Sequence, residues 1–328
     1  MAEVGLVAFA RVAMEVTERV IPAYRTPKSK HLFTQPQLLS ILCLMRYEDW
    51  TFREAEVRLS EHSELRQALK LQSVPDYTTL YRFLVRLEEE MLQQALEAVI
   101  HILPPPKGKP PGGSHGETRG NQRRKRKSCP EGLTVAVDAT GLAPGSISTF
   151  FVKRAKNRTG PDGQGLPWRY WLKWIVAVDV SRRLLLAQIA QQGPTNSSAT
   201  LRPLVDTAHA IAPIDLVLAD GEFDSEWNHR HVREQLKAQS IIPAKRGKAT
   251  WKLKGVRAEM RACFPQERYG QRALIESVFS SIKRKLSSKA PGRTLVMQRR
   301  QALLLGLAYN LYRLWPSAFS QWPLLHQR

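Results

Sequence analysis

The chain has 328 residues, 43% of them hydrophobic and 24% charged, proportions that exclude wholesale disorder and collagen-like or silk-like architectures. Fifty Lys and Arg face 29 Asp and Glu, so the net charge is +21, and the expected partner is acidic, nucleic acid ahead of an anionic membrane surface. No apolar run approaches the ~18 residues of a membrane-spanning helix; the longest, Trp171 to Val180, is interrupted by Lys173 and Asp179.

The first residues, with Glu3 ahead of any base and Arg11 and Glu15 inside the apolar stretch, read as an amphipathic helix rather than a signal peptide, so the protein is expected to stay in the cytoplasm. Leu38, Leu39, Ile41, Leu42 and Met45 then recur at helical spacing, and Phe52, Ala55, Val57 and Leu59 suit a second, short helix. After the turn Val74-Pro75-Asp76, Leu80, Phe83, Leu84 and Leu87 share one face of a further helix, with Arg82 and Arg86 on another. Residues 1–103 are therefore expected to be a small all-α domain. It is either a helix-turn-helix-like unit that reads DNA ends or a plain bundle that scaffolds or dimerises.

Residues 104–132 are rich in Pro, Gly and bases and read as a linker. Its run Arg123, Arg124, Lys125, Arg126 and Lys127 can bind phosphates or simply be solvated. The linker divides the charge: residues 1–103 carry 12 Lys and Arg against 14 Asp and Glu, and residues 104–328 carry 38 against 15. A polyanion site is expected in the C-terminal part. Cys43, Cys129 and Cys263 match neither a disulfide framework nor a zinc spacing and read as incidental thiols.

Beyond the linker the rhythm changes. Thr134 to Asp138 alternates at period two; Tyr170 to Val180 and Leu184 to Gln192 read as a hairpin turning at Ser181-Arg182-Arg183. Ser198 to Ile211 follows as a helix, Ile214 to Asp220 as a buried strand, Ser225 to Lys237 as a helix and Ser240 to Pro243 as a strand. The order βββαβαβα predicts a mixed α/β sheet. Two strands end in Asp138 and Asp220, where ligands of open α/β sheets gather. Taken singly, such an Asp is more often a turn former or a cap.

Tyr269 to Leu286 predicts a strong helix. At 100° per residue, Tyr269, Arg272, Glu276 and Lys283 fall in one stripe about 60° wide, apart from the apolar stripe of Ile275, Val278, Phe279, Ile282 and Leu286. The polar stripe is free to face a cleft. Around Asp220, Glu222 and Asp224 read as caps of the next helix rather than ligands, and Asp179 as a hairpin-turn residue. His229 and His231, two apart on a helix, point to different faces and do not form a joint ligand pair. Trp168, Tyr170, Trp171 and Trp174 can stack on bases or fill the core, the second being commoner for aromatic residues in a strand.

With these residues in view, the sequence resembles the DDE transposases of bacterial insertion sequences that carry the signature Tyr-x2-Arg-x3-Glu-x6-Lys, met here at Tyr269, Arg272, Glu276 and Lys283. The blocks DATGL from Asp138, LADGEFDS around Asp220 and the later IIPAKR are similar to the family's as well. The resemblance spans about 134–315, with a weaker match over 32–100. It implies a ribonuclease-H-like fold over 133–315, ahead of a tail at 316–328. It also implies catalysis by Asp138, Asp220 and Glu276 holding two Mg²⁺ ions, Mn²⁺ substituting, and cut-and-paste transposition at the nucleoid. The implied partners are double-stranded DNA with terminal inverted repeats and target DNA, bound by a homodimer assembled on the ends, with no membrane. Tyr269, Arg272 and Lys283, with the adjoining Arg284 and Lys285, would contact DNA, Arg272 and Lys283 either gripping phosphates or bridging nearby acids. Only 55 residues separate Asp220 from Glu276, too few for the large β-insertion some members carry there. The alternatives are a ribonuclease-H-like nuclease that cuts without strand transfer and an inactive, transposase-derived DNA-binding regulator.

Overall fold

Six helices precede the first strand in the computed structural model, which describes residues 5–26, 28, 31–102, 132–144, 171–245 and 253–325, with side chains to residue 314. The basic run Arg123 to Lys127, Cys129, Trp168 and Tyr170 lie outside the described residues. Helix α1 is Leu6–Val20, α2 Gln35–Glu48, α3 Phe52–Glu61, α4 Ser63–Ala68, α5 Tyr77–Arg86 and α6 Glu89–Ile102. Their starts follow from local chemistry. Thr34 with Gln37 and Thr51 with Glu54 form reciprocal capping boxes on α2 and α3, and the Asp76 carboxylate accepts the Thr78 amide at the start of α5. The expected apolar face of α5 is buried at Leu80, Phe83 and Leu84, while Arg82 and Arg86 stay exposed.

The sheet that follows contains β1 Leu133–Leu142, β2 Leu172–Asp179, β3 Leu184–Gln192, β4 Ile214–Ala219 and β5 Gln239–Ile241, in the order β3-β2-β1-β4-β5. The hairpin partners β2 and β3 run antiparallel, β2 is antiparallel to β1, and β4 and β5 are parallel to β1 and to each other in turn. This is the expected ribonuclease-H-like arrangement. The hairpin turn is held by Asp179, fully buried, whose carboxylate accepts the amides of Ser181 and Arg182 and pairs with the Arg182 guanidinium.

Strand periodicity sends alternate residues to two cores. Val135, Val137, Ile175, Ala177 and Val217 face α7, Leu201–Ile211. On the other face Ala136, Trp174, Val176 and Leu185 join one continuous apolar cluster with the six N-terminal helices and with two later ones, α11, Ala273–Lys285, and α12, Leu295–Leu325. Helix α12 continues through residues 316–325, the segment expected to be a tail.

Edge strand β3 meets α12 through a buried amide. Asn310 Oδ1 accepts the Leu185 amide at 3.0 Å and Nδ2 donates to the Leu185 carbonyl at 2.8 Å, imitating a neighbouring strand. Asn310→Leu would leave both Leu185 groups buried and unpaired, at about 1–3 kcal/mol each. The expected result is a denaturant midpoint lowered by the equivalent of about 2–6 kcal/mol; an unchanged midpoint would show that the bridge contributes nothing.

Other boundaries differ from the sequence reading as well. Strand β1 does not end at Asp138 but continues to Leu142, because Ala139 to Leu142 pair with Ile175 back to Leu172. The helix expected from Tyr269 is broken into α10, Gln266–Tyr269, a 3₁₀ turn over Gly270–Arg272, and α11, since Gly270 weakens a continuous helix by about 1 kcal/mol. The helix expected over 225–237 is α8, Glu226–Arg230, followed by a π turn over His231–Gln235. Between β5 and α10 lies α9, Gly255–Ala262. Among the described residues no helix is long and apolar enough to cross a membrane.

Candidate active site

Because Asp138 lies mid-strand, its side chain shares a sheet face with Ala136 and Thr140, the face over which α11 runs. Arg272, at the end of the 3₁₀ turn, reaches down to it. One guanidinium nitrogen donates to Asp138 Oδ2 at 2.7 Å and the other to Glu276 Oε1 at 3.1 Å, four residues on along the helix. Asp138 and Arg272 are largely covered, whereas the Glu276 side chain is 63% exposed. Burial pushes the Asp138 carboxyl above the usual aspartate range; the Ala139 amide and Arg272 oppose this, and the charge of Asp220 adds to it. Asp220 follows β4, on the strand beside β1, and its Oδ1 accepts the Gly221 amide at 2.7 Å.

Tyr269 stands beside this cluster. The Arg272 guanidinium lies 5.5 Å from its ring centroid, and Phe264 meets the ring edge-on at 4.9 Å. Burial raises the Tyr269 phenol above its ordinary value, so it stays protonated beside the acids. Lys283, two turns along α11 from Glu276, reaches no acid among the described residues. Its Nζ donates to Thr140 Oγ1 at 2.7 Å, and burial lowers its pKa. The structure thus brings Asp138, Glu276, Arg272 and Tyr269 together, with Asp220 near enough to act on them electrostatically and Lys283 farther along the same strand face. Arg284 lies exposed beside Lys283 and Lys285 is half-buried.

Two partners escaped the sequence reading. Thr140 could have been found, since it lies two residues beyond Asp138 and period two puts both on one face. Lys173 pairs with Glu222 and donates to the Thr195 carbonyl at 3.1 Å; a lone Lys in an apolar strand was its only signal. The expected caps were wrong. Ser225 caps α8, Glu222 pairs with Lys173, and Asp224 is buried in a two-pronged pair with Arg257 while accepting the Lys245 amide. His229 bonds Ser240 and His231 bonds Asp206, on different sides, as their spacing required. Trp174 is core, in contact with Phe279.

The donor set suits a hard divalent cation. The ionised acceptors at this cluster are carboxylates, and the positive charge that bridges Asp138 and Glu276 here is the Arg272 guanidinium. Among the described residues no three Asp, Glu, His or Cys side chains are close enough to close around one ion. Compared with known proteins, residues 130–311 match the family described as "Transposase DDE domain", which takes in every strand and the helices from α7 to most of α12. No curated protein matches the chain.

Proposed function

The chain belongs to the transposase DDE-domain family, and from that premise we propose that it is the transposase of an insertion sequence, cutting DNA at the element's inverted-repeat ends and joining those ends to target DNA. In this reading Asp138, Asp220 and Glu276 are the acids that hold two divalent cations, Mg²⁺ or Mn²⁺. Such a pair would supply charge to activate the attacking oxygen and stabilise the leaving oxygen of a phosphodiester. The chain's own contribution is position. Asp138 is fixed by the sheet and Glu276 by a helix docked on it, and Arg272 neutralises both acids in the free protein. The observation that carries the proposal is this Asp138–Arg272–Glu276 bridge, formed inside the span that matches the family.

Arg272, free of its acids, would offer a phosphate a two-pronged contact, and Lys283, held at Thr140, a point charge farther along the same sheet face. Two copies, one on each end, would hold the ends for joining. The test incubates the purified chain and Mg²⁺ with DNA carrying the flanking inverted repeats and a supercoiled target. Joined products support the proposal; cutting at branched structures without joining supports a structure-specific nuclease, and tight binding without cutting a regulator.

Arg272→Ala gives a further expectation. Removal of the guanidinium leaves Asp138 and Glu276 facing each other without a bridging cation, so a divalent ion should restore more stability to this variant than to the parent. Millimolar Mg²⁺ should raise its melting temperature by several degrees more than that of the unaltered protein. Equal shifts in the two would mean that Arg272 and the metal do not compete.

A further inference from the structure

Away from the acids, α2, α3 and α5 together with residues 289–301 enclose a cavity of about 900 Å³, within the range of sites for small organic ligands. Its walls are aromatic. Trp50, Phe52, Tyr77 and Tyr81 line it, Tyr81 being 40% exposed and edge-on to Phe52 at 5.9 Å. Its rim is cationic. Arg53 lies 4.9 Å from the Tyr77 ring centroid, and Lys289 and Arg293 are exposed and make no ion pair among the described residues. Asp49, the one acid in the lining, is paired with Arg46 at 3.4 Å.

The inner wall holds unmet hydrogen-bonding capacity. Arg46 is 3% exposed and donates to the Lys289 carbonyl at 2.6 Å, yet its Nε has no partner; Gln301 is 4% exposed and its Oε1 has none either. A buried donor and a buried acceptor left unpaired each carry a cost, and both lie in residues of this wall. Flat aromatic faces with cations at the mouth match a nucleobase with its phosphate. A base stacked in a duplex cannot enter such a cavity, so the occupant is an unpaired nucleotide.

The cavity is also tied to the acid site. Residue Ala143, just beyond β1, forms a parallel bridge with Lys289 and accepts the Ala290 amide at 2.8 Å. The rim is therefore fixed five residues beyond Asp138, about 17 Å at ~3.3 Å per residue, or about five nucleotide steps of ~3.4 Å. We propose that this cavity holds an unpaired nucleotide of the DNA strand processed at Asp138, its base against Tyr81 and Trp50 and its phosphate on Lys289 and Arg293. The assignment rests on the reading of DNA as the substrate.

The test measures binding of the full chain, without divalent cation, to a 12-nucleotide single strand and to the same strand with abasic sites. Stacking is worth about 1–3 kcal/mol per base, so Tyr81→Ala should weaken the base-bearing strand about 5- to 100-fold and the abasic strand less than about twofold. Tyr81 is exposed, and an unchanged melting temperature of the variant excludes misfolding. A 5-iodouracil strand irradiated on the unaltered protein should cross-link to Trp50, Tyr77 or Tyr81. Equal loss on both strands, adducts elsewhere, or a chain-to-chain adduct through Tyr81, which would mark a surface for a second copy, overturns the proposal. Because binding is read without chemistry, a chain that passes yet joins no DNA overturns the transposase reading alone; one that joins DNA yet fails here overturns the cavity alone.

Discussion

Glu276→Gln is expected to lower DNA cleavage by about 10³-fold or more while DNA affinity stays within about twofold, and Asp138→Asn and Asp220→Asn are expected to do the same. The three carboxylates would hold cations whose charge contributes several kcal/mol to the transition state, and each ~1.4 kcal/mol is tenfold in rate. Toward phosphate the acids themselves are repulsive, so neutral isosteres do not cost binding. Nor should they cost the fold. Burial raises the Asp138 pKa in the folded chain, so the stability tied to this group is present at pH below its unfolded value and already lost once pH has risen through the folded one. An amide at this position at neutral pH gives up only the Arg272 pair. Cleavage by Glu276→Gln at the parental rate, in a gel assay of nicked and linear products, would remove the acid from the active site.

Affinity for any DNA should fall by about 10³- to 10⁵-fold between 50 and 200 mM salt, the loss that accompanies about 6–10 neutralised phosphates. Residues 104–328 hold 38 Lys and Arg against 15 acids, so such a count is within reach of one face of the molecule. The logarithmic slope, near −0.9 per phosphate, counts the contacts directly. Neutralising Arg123 to Lys127 should reduce it alike on all sequences, whereas Arg82 and Arg86 should matter only for discrimination if α5 reads bases. Titration by fluorescence anisotropy at four salt concentrations suffices, and a flat profile would exclude a phosphate-gripping surface.

Much of the sheet was legible because strands buried on both faces, such as Ile214–Ala219, read as short apolar runs between turns. The polar stripe of α11 was legible from 100° arithmetic, and Arg272 does meet Glu276 one turn away. Pairing across distance was not. That Arg272 also meets Asp138, 134 positions earlier, or that Lys283 meets Thr140 instead of an acid, depends on how far α11 sits along β1. The extension of β1 past Asp138 was hidden for the same reason, since Gly141 argues against a strand until β2 supplies its partner. The cavity beside Tyr81 had no signature at all: its walls come from segments more than 200 positions apart.

Helix α12 gives the chain an order of events during its synthesis. Arg299 meets Glu89, Arg300 meets the Leu84 and Val85 carbonyls, and Asn310 closes over Leu185, so the last of the described helices holds together parts made long before it. At about 5–20 residues per second, the N-terminal helices wait some tens of seconds with their apolar faces uncovered. A ribosome that stops before α12 therefore releases no half-working piece, only a chain with a large sticky surface that proteases and chaperones would take up. Loss of α12 alone is therefore expected to cost the whole fold and not a single contact.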